Sequence, residues 1–566
     1  MLNPSKKIKL LTGIAALALL AGCGSSNNSG IFTGSSGVPN VVPIVAQQPP
    51  VANDDVYNVL GNATLNFTQS RSVLNNDETN GAVITSFDTT TSSGATIALA
   101  ADGTFTYTPA AGFEGADTFT YTLSNALGDS TATATINVAG LALFVDVSQA
   151  SNGNGTENSP FNDLTSALNA ASSGDTIFVL GAPGTVFNGQ INLPQGVDLV
   201  GETQGLQLFL QAIDNGVSRP IITGPVVCGG DNTVAGFSIE GSAGNGLSGT
   251  NVTDLRVTNN VFVGSTDEHI RLDDVSGTVE VLNNSFLDQA VDDENFITLL
   301  NDGTNAAYNL SGNLFGTDTS DPEDAVFVDL SGASVVSVEF DENATESVDV
   351  ARDLDYVFRA FLSDQAQLDL RADQNDLKRL DDSAFYIETF SPGASLTGEF
   401  TQNRMTSCDD AGVEVFANTG TANLTITGNI FDDCDDAGIL LFTTGVNASI
   451  TAVVSGCLIF EGDEAVEVSA SAPGSSIAIA LRNNLINGDP LRFTSGDATS
   501  EVCVDMTGNR LEDLNLTFND TAGTINVERL DNTVTGGPLD SANSFDNVNQ
   551  TNNGANPVDA GFCGIP

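Results

Sequence analysis

An asparagine recurs in one local frame, Asn-x-apolar, from about residue 230 to the end of the chain. The clear instances are Asn260-Val261-Phe262, Asn284-Ser285-Phe286, Asn313-Leu314-Phe315, Asn403-Arg404-Met405, Asn429-Ile430-Phe431, Asn484-Leu485-Ile486 and Asn509-Arg510-Leu511. Asn232, Asn375 and Asn532 also fit, Asn343 fits poorly, and Cys457 stands in the Asn slot once. Successive steps run from 23 to 32 residues. A near-constant period of that size with one repeated polar residue is the signature of a solenoid, in which each repeat is one coil.

The flanks define what the coil is made of. Apolar residues sit three places before the Asn (Val257, Val281, Leu310, Phe400, Ile426, Val454, Leu481, Met506) and often five before it (Leu255, Val279, Leu424, Ile479, Val504). That is alternation with period two, which builds strands rather than helices. A strand, a turn with a buried amide and a second strand make one coil of a parallel β-helix. The next coil supplies the amide with hydrogen-bond partners at ~4.8 Å. Leucine-rich and helical repeats would need more helix formers than this β-branched, Gly- and Asn-rich chain contains.

Residues 143 to 200 hold Phe144-Val145-Asp146, Asn152-Gly153-Asn154-Gly155-Thr156, Ser159-Pro160-Phe161, Leu164 to Ala171 and Gly174-Asp175-Thr176-Ile177. This stretch resembles the start of right-handed parallel β-helices of the pectin-lyase-like superfamily. Asp163 to Ala171 is expected to form a short amphipathic helix that plugs the open end of the coil, where core and strand edges would otherwise be exposed. Ahead of it, residues 51–139 carry short alternating strands such as Gly103 to Tyr107, Thr118 to Thr122 and Ala132 to Val138. The phrases Val73-Leu74-Asn75-Asn76-Asp77, Asp102 to Pro109 and Gly112 to Phe119 resemble bacterial cadherin-like, Ig-like modules. The resemblance implies a small β-sandwich serving as spacer or adhesion unit. The fold class is therefore all-β, an Ig-like sandwich followed by a β-helix over 141–566. Val338 to Phe390 lacks Gly and has a weak Asn frame, so an irregular insertion is expected near 338–390, with Tyr356 to Leu362 the best helical segment.

Lys6, Lys7 and Lys9 precede an apolar run from Leu10 to Leu20, too short for a permanent bilayer span. It ends in Leu20-Ala21-Gly22-Cys23, which resembles a bacterial lipobox. The resemblance implies removal of residues 1–22, acylation of Cys23 and an outer-membrane lipoprotein, with several acyl chains giving a firm anchor. Residues 23–50, rich in Gly, Ser, Asn and Pro, read as a flexible tether. The two modules fit the cell exterior better than the periplasm.

The chain has 72 acidic and 17 basic residues, for a formal charge of −55. Nucleic acid and anionic membrane surfaces are therefore poor partners. Three successive coils carry acidic pairs in register: Asp409-Asp410, Asp435-Asp436 and Asp463-Glu464. Such pairs read first as exposed turns. They could also hold Ca2+, a hard cation that takes oxygen ligands, or supply the two carboxylates of a glycosidase. His269, the single histidine, reads first as structural; His269 with Arg271, or Lys378 with Arg379, are the remaining catalytic candidates. Polygalacturonase-type hydrolases of this fold pair Asp-Asp with Gly-His-Gly and Arg-Ile-Lys elements, and only Asp-Asp is present. Cys408 and Cys434 occupy equivalent places in consecutive coils, which marks them as the disulfide candidates. The leading expectation is a non-catalytic, adhesin-like surface protein that binds extracellular polymer or cell-surface glycan. A polysaccharide lyase or hydrolase is the alternative.

Overall fold

One coil of the computed structural model consists of three strands, for example Ser395–Thr401, Arg404–Cys408 and Ala411–Ala417. The next coil repeats them as Thr421–Thr427, Ile430–Cys434 and Ala437–Thr443, each parallel to its predecessor and in register. Stacking generates three long sheets. Sheet I holds the strands before the ladder Asn, sheet II those after it, and sheet III those after the acidic turn. Sheets II and III have 14 strands each. The described residues are 48–566 except 182–183, 205, 209–210, 214–218, 292–293, 318–321, 348–353, 461, 488–489, 513–514, 521, 529–543, 547–548, 554–555, 559–562, 564 and 566. Cys23, the signal segment and nearly all of the tether lie outside them.

The Asn side chains form the expected ladder. The backbone N–H of Asn260 donates to Asn284 Oδ1 at 2.9 Å, while Asn284 Nδ2 donates back to the Val257 carbonyl at 2.9 Å. The same pattern links Asn284 to Asn313, Asn313 to Asn343, Asn343 to Asn375, Asn375 to Asn403, and Asn403 to Asn429. Asn343, the poor fit by sequence, is thus a full member. Each residue before a ladder Asn has positive φ, including Asn259 (54°), Gly312 (68°), Glu342 (57°) and Gly428 (67°). That left-handed residue turns the chain between sheets I and II, which is why Gly and Asn recur there. The apolar residues three places before the Asn are buried without exception. Behind the ladder, Phe262, Phe286 and Phe315 stack with centroids 5.1 and 5.2 Å apart.

The N-terminal cap is the helix Leu164–Ala170, opened by Asp163, whose carboxylate accepts from the Ser166 N–H at 2.7 Å. Leu164 and Ala167 join the core of the coil. The sandwich and the β-helix share a strand, Gly128–Val145. It pairs antiparallel with Gly115–Asn125 in the sandwich, and through Ala142 to Val145 it pairs parallel with Thr176–Val179 in sheet I. Its alternation serves two cores: Leu143 and Val145 face the coil, Ala142 and Phe144 the sandwich.

Two expectations need correction. Tyr356–Leu362 is a strand of sheet III, not a helix. Its outward residues include bulky aromatics, which hide the period-two pattern, but Val357, Phe358, Ala360 and Leu362 are buried as a strand between neighbouring coils requires. The strands around it continue all three sheets, so the described part of 338–390 is ordinary coil. Cys408 and Cys434 are register partners but remain free thiols, and the bridge is Cys503–Cys563. In-register neighbours project in parallel at the ~4.8 Å strand spacing, whereas a disulfide draws its Cβ atoms to ~3.8 Å.

The ladder sets the first expected outcome. Asn429→Ala removes two bonds accepted from Asn403 and one donated to the Phe400 carbonyl, leaving a buried N–H unsatisfied. Destabilisation of about 2–4 kcal/mol is expected by denaturant or thermal unfolding. The reciprocal change, Cys457→Asn, completes the ladder and should stabilise by ~1 kcal/mol.

Candidate functional site

Period-two alternation in sheet III turns one residue in two away from the core, and consecutive coils align those residues in rows. One outward row runs Phe327, Arg359, Tyr386, Glu414, Leu440, Glu467 and Arg492. Beside it runs Asp329, Phe361, Glu388, Phe416, Phe442 and Ser469. The rings touch along the axis: Phe327 to Phe361 at 5.6 Å, Tyr386 to Phe416 at 5.6 Å, and Phe416 to Phe442 at 5.2 Å with planes 14° apart. Phe361 also meets Phe390 at 5.6 Å, and Phe390 is 44% exposed. An aromatic strip thus lies on the outer side of sheet III, opposite the phenylalanines buried inside the coil.

The strip is flanked by acid. Asp382, Asp410, Asp436 and Glu464 stand one per coil at the start of sheet III, joined by bonds from the Asp410 N–H to the Asp382 carbonyl (3.4 Å), Asp436 to Asp410 (3.1 Å) and Glu464 to Asp436 (3.0 Å). Burial, then the Asp382 and Asp436 charges, push the Asp410 carboxyl up to about 6. Burial pushes Glu414 up to about 7, against a hydrogen bond of 2.5 Å from Ser383 Oγ that favours its charged form. Tyr356 is hydrogen-bonded to Asp382, and Tyr386 Oη donates to Glu388 at 3.1 Å. Arg359 lies over Phe327, Tyr356 and Phe361, with centroids 5.0 to 5.7 Å away, and ion-pairs with Glu323 at 2.6 Å and Asp324 at 2.7 Å. Asp324 is fully buried, which holds its carboxyl well above the usual range despite that arginine.

The residues singled out by sequence are dispersed. His269 is fully buried, its ring 5.2 Å from Phe296. Nε2 lies 2.9 Å from the Leu287 carbonyl, so it carries the proton, and Nδ1 accepts from Ser265 Oγ at 2.9 Å. Burial lowers its pKa to about 4, so it is a neutral core residue. Arg271 is on the outward row of sheet III but five coils before Glu414, and it is held by Glu268 and Asp273 at 2.9 and 3.2 Å. Lys378 is on sheet II, paired with Asp376 at 2.6 Å. Asp410, Asp436 and Glu464 do join one column, and Asp409, Asp435 and Asp463 a more exposed one beside it. Among the described residues no three His, Cys, Asp or Glu side chains converge as a metal-holding group.

Sequence reasoning overlooked Asp382, Glu414, Arg359, Tyr356, Tyr386 and the phenylalanines. One signal was readable: Phe416 and Phe442 stand at the same offset from Asn403 and Asn429, in strands whose alternate positions are apolar. A second surface lies on sheet I. Two shallow depressions of about 340 and 320 Å³ share Thr278 and Glu280 and are lined by Arg256, Asn309, Glu339 and Arg371 among others.

Comparison with known proteins bears on the sandwich most directly. Residues 47–140 match the bacterial cadherin-like domain. The cadherin-like domain therefore ends inside the strand that it shares with the β-helix. No curated protein matches the chain. Among solved structures, the catalytic unit of a thermostable GH87 alpha-1,3-glucanase from Streptomyces thermodiastaticus strain HF3-3 is 11% identical, covering 83% of this chain and 77% of its own, with a TM-score of 0.32. The A-module of a mannuronan C-5 epimerase of Azotobacter vinelandii is 10% identical over 69% of this chain and 93% of its own, with a TM-score of 0.18. At these values the likenesses say nothing about what the chain does.

The raised carboxyls fix a pH dependence. A group whose folded pKa exceeds its unfolded value contributes stability below the unfolded pKa and loses it as pH rises through the folded one. For Asp410 that window runs from the usual 3.8 to about 6. Asp410→Asn should therefore raise Tm by about 1–2 °C at pH 7.5 and leave it unchanged at pH 4, measured by scanning calorimetry.

Proposed function

We propose that this is a lipid-anchored cell-surface protein whose β-helix binds extracellular polysaccharide on the outer face of sheet III, without cleaving it. The observation that carries the reading is the aromatic strip Phe361, Tyr386, Phe416 and Phe442, one ring per coil, facing outward. Sugar rings present apolar C–H faces that pack on such rings, and their hydroxyls bond to carboxylates and to tyrosine hydroxyls. The repeat along the axis suits a polymer, because each coil offers its next unit a similar environment. Within the same reading, Cys23 supplies the anchor, residues 23–50 the tether and the cadherin-like domain a spacer.

The double substitution Phe416→Ala/Phe442→Ala should weaken binding to the best polymer of a polysaccharide panel at least tenfold, about 1.4 kcal/mol. Affinity electrophoresis or calorimetry reads this, with Tm as the control for folding. Unchanged affinity would remove the strip from the binding site. Anchoring is tested separately: Cys23→Ser should abolish incorporation of labelled fatty acid and release the protein from the membrane.

A second reading has a specific observation behind it. Asp410 and Glu414 are neighbouring carboxyls raised to about 6 and about 7, and a glycosidase needs one carboxyl protonated near neutrality beside another that is ionised. The binding reading expects no new reducing or unsaturated ends from any polymer of the panel. Turnover that Glu414→Gln abolishes would establish the enzyme instead.

A further inference from the structure

The sheet III face carries arginines, yet each is neutralised within the fold. Arg359 is closed by Glu323 and Asp324, Arg271 by Glu268 and Asp273, and Arg492 by Glu464 and Glu467. The carboxylates of the strip have no such counterpart. Asp382, Glu388, Asp410, Glu414 and Asp436 form no ion pair with Lys or Arg among the described residues. They extend along the axis over three successive coils, Asp382 with Glu388, Asp410 with Glu414, and Asp436, with the coils ~4.8 Å apart. Their mutual repulsion adds to burial in raising the Asp410 and Glu414 carboxyls, and a ligand that relieves it and draws them into the charged form is best one whose own charges are positive and strung along a chain. A uronate polymer would instead bring further anions to a protein whose formal charge is −55.

We infer that the partner of this face is a polysaccharide bearing ammonium groups, an amino-sugar polymer, with its rings on the aromatic strip and its ammonium groups on the flanking carboxylates. The inference rests on the reading of the face as a glycan platform and adds the class of glycan. Ammonium groups also gain from the aromatic faces themselves, through the ring quadrupole. Anionic polysaccharides such as alginate and pectate are excluded by the same charge pattern.

Three soluble polymers decide the matter at pH 8, where Asp410 and Glu414 are largely ionised: chitosan in its soluble, permanently charged N-trimethylated form, glycol chitin as the N-acetylated neutral counterpart of similar length, and alginate. Calorimetry at low salt should show chitosan binding at least tenfold more tightly than the neutral polymer, with no binding of alginate, and added salt should narrow the gap. General attraction of a polyanion to any polycation is separated by two isosteric triple variants. Asp410→Asn/Glu414→Gln/Asp436→Asn should lose at least tenfold in chitosan affinity. Glu280→Gln/Glu339→Gln/Glu399→Gln, which removes as many charges from sheet I, should lose less than twofold. Equal losses in both would overturn the assignment of the site. Neutral polymer binding as well as chitosan, with sensitivity to Phe416→Ala/Phe442→Ala, would overturn the charge inference and leave the glycan reading standing. Failure of all three polymers to bind would overturn both.

Discussion

The amide-to-amide hydrogen bond between coils is the interaction on which the rest depends. A solenoid coil cannot bury its apolar face alone, so each must dock on the last in one register. Apolar packing favours docking but discriminates weakly between registers, since Val, Ile and Leu substitute for one another along the core. The Asn ladder discriminates strongly. A coil displaced by one residue would bury an amide with no partner and expose the row that should be buried. The left-handed residue before each Asn aims the amide at its neighbour, which ties the register to the turn.

Register, once set, creates surface chemistry without further machinery. Residues at one offset from the Asn become a row, so a side chain repeated in sequence becomes a strip in space. The phenylalanine column inside the coil and the aromatic strip outside sheet III follow the same rule on opposite sides of the backbone. So do the carboxylates that start sheet III. Their repulsion is tolerated because they stand at the edge of solvent and Asp410 holds its proton more readily than an ordinary carboxyl does. The ladder thus serves as the scaffold, and the outer positions of the strands are left for function.

How far this could be read from the chain differs by level. The coil, its period, the cap helix beginning at Asp163 and the inward positions before each Asn were legible because burial imposes a repeating pattern on them. The face was only half legible. The Asp-Asp pairs were visible as runs, but Glu414 is a lone acid between two valines, and its place beside Asp410 depends on strand direction and turn length. Arg359 and Tyr356 sat in a segment whose bulky outward residues imitate a helix. His269 was legible: a solitary ring in a coil reads first as structural, and its two hydrogen bonds and its stack on Phe296 place it among the core residues.

The strand Gly128–Val145 bears on how the protein carries force. Because it belongs to the sandwich and the first coil at once, no hinge separates them at that point. Tension on a polymer lying along sheet III would pass from coil to coil and enter the sandwich through a continuous backbone. The hydrogen bonds flanking that strand would be loaded together, in shear, instead of opening one at a time. On the proposed function, the cadherin-like domain would act as a rigid extension of the glycan-binding face.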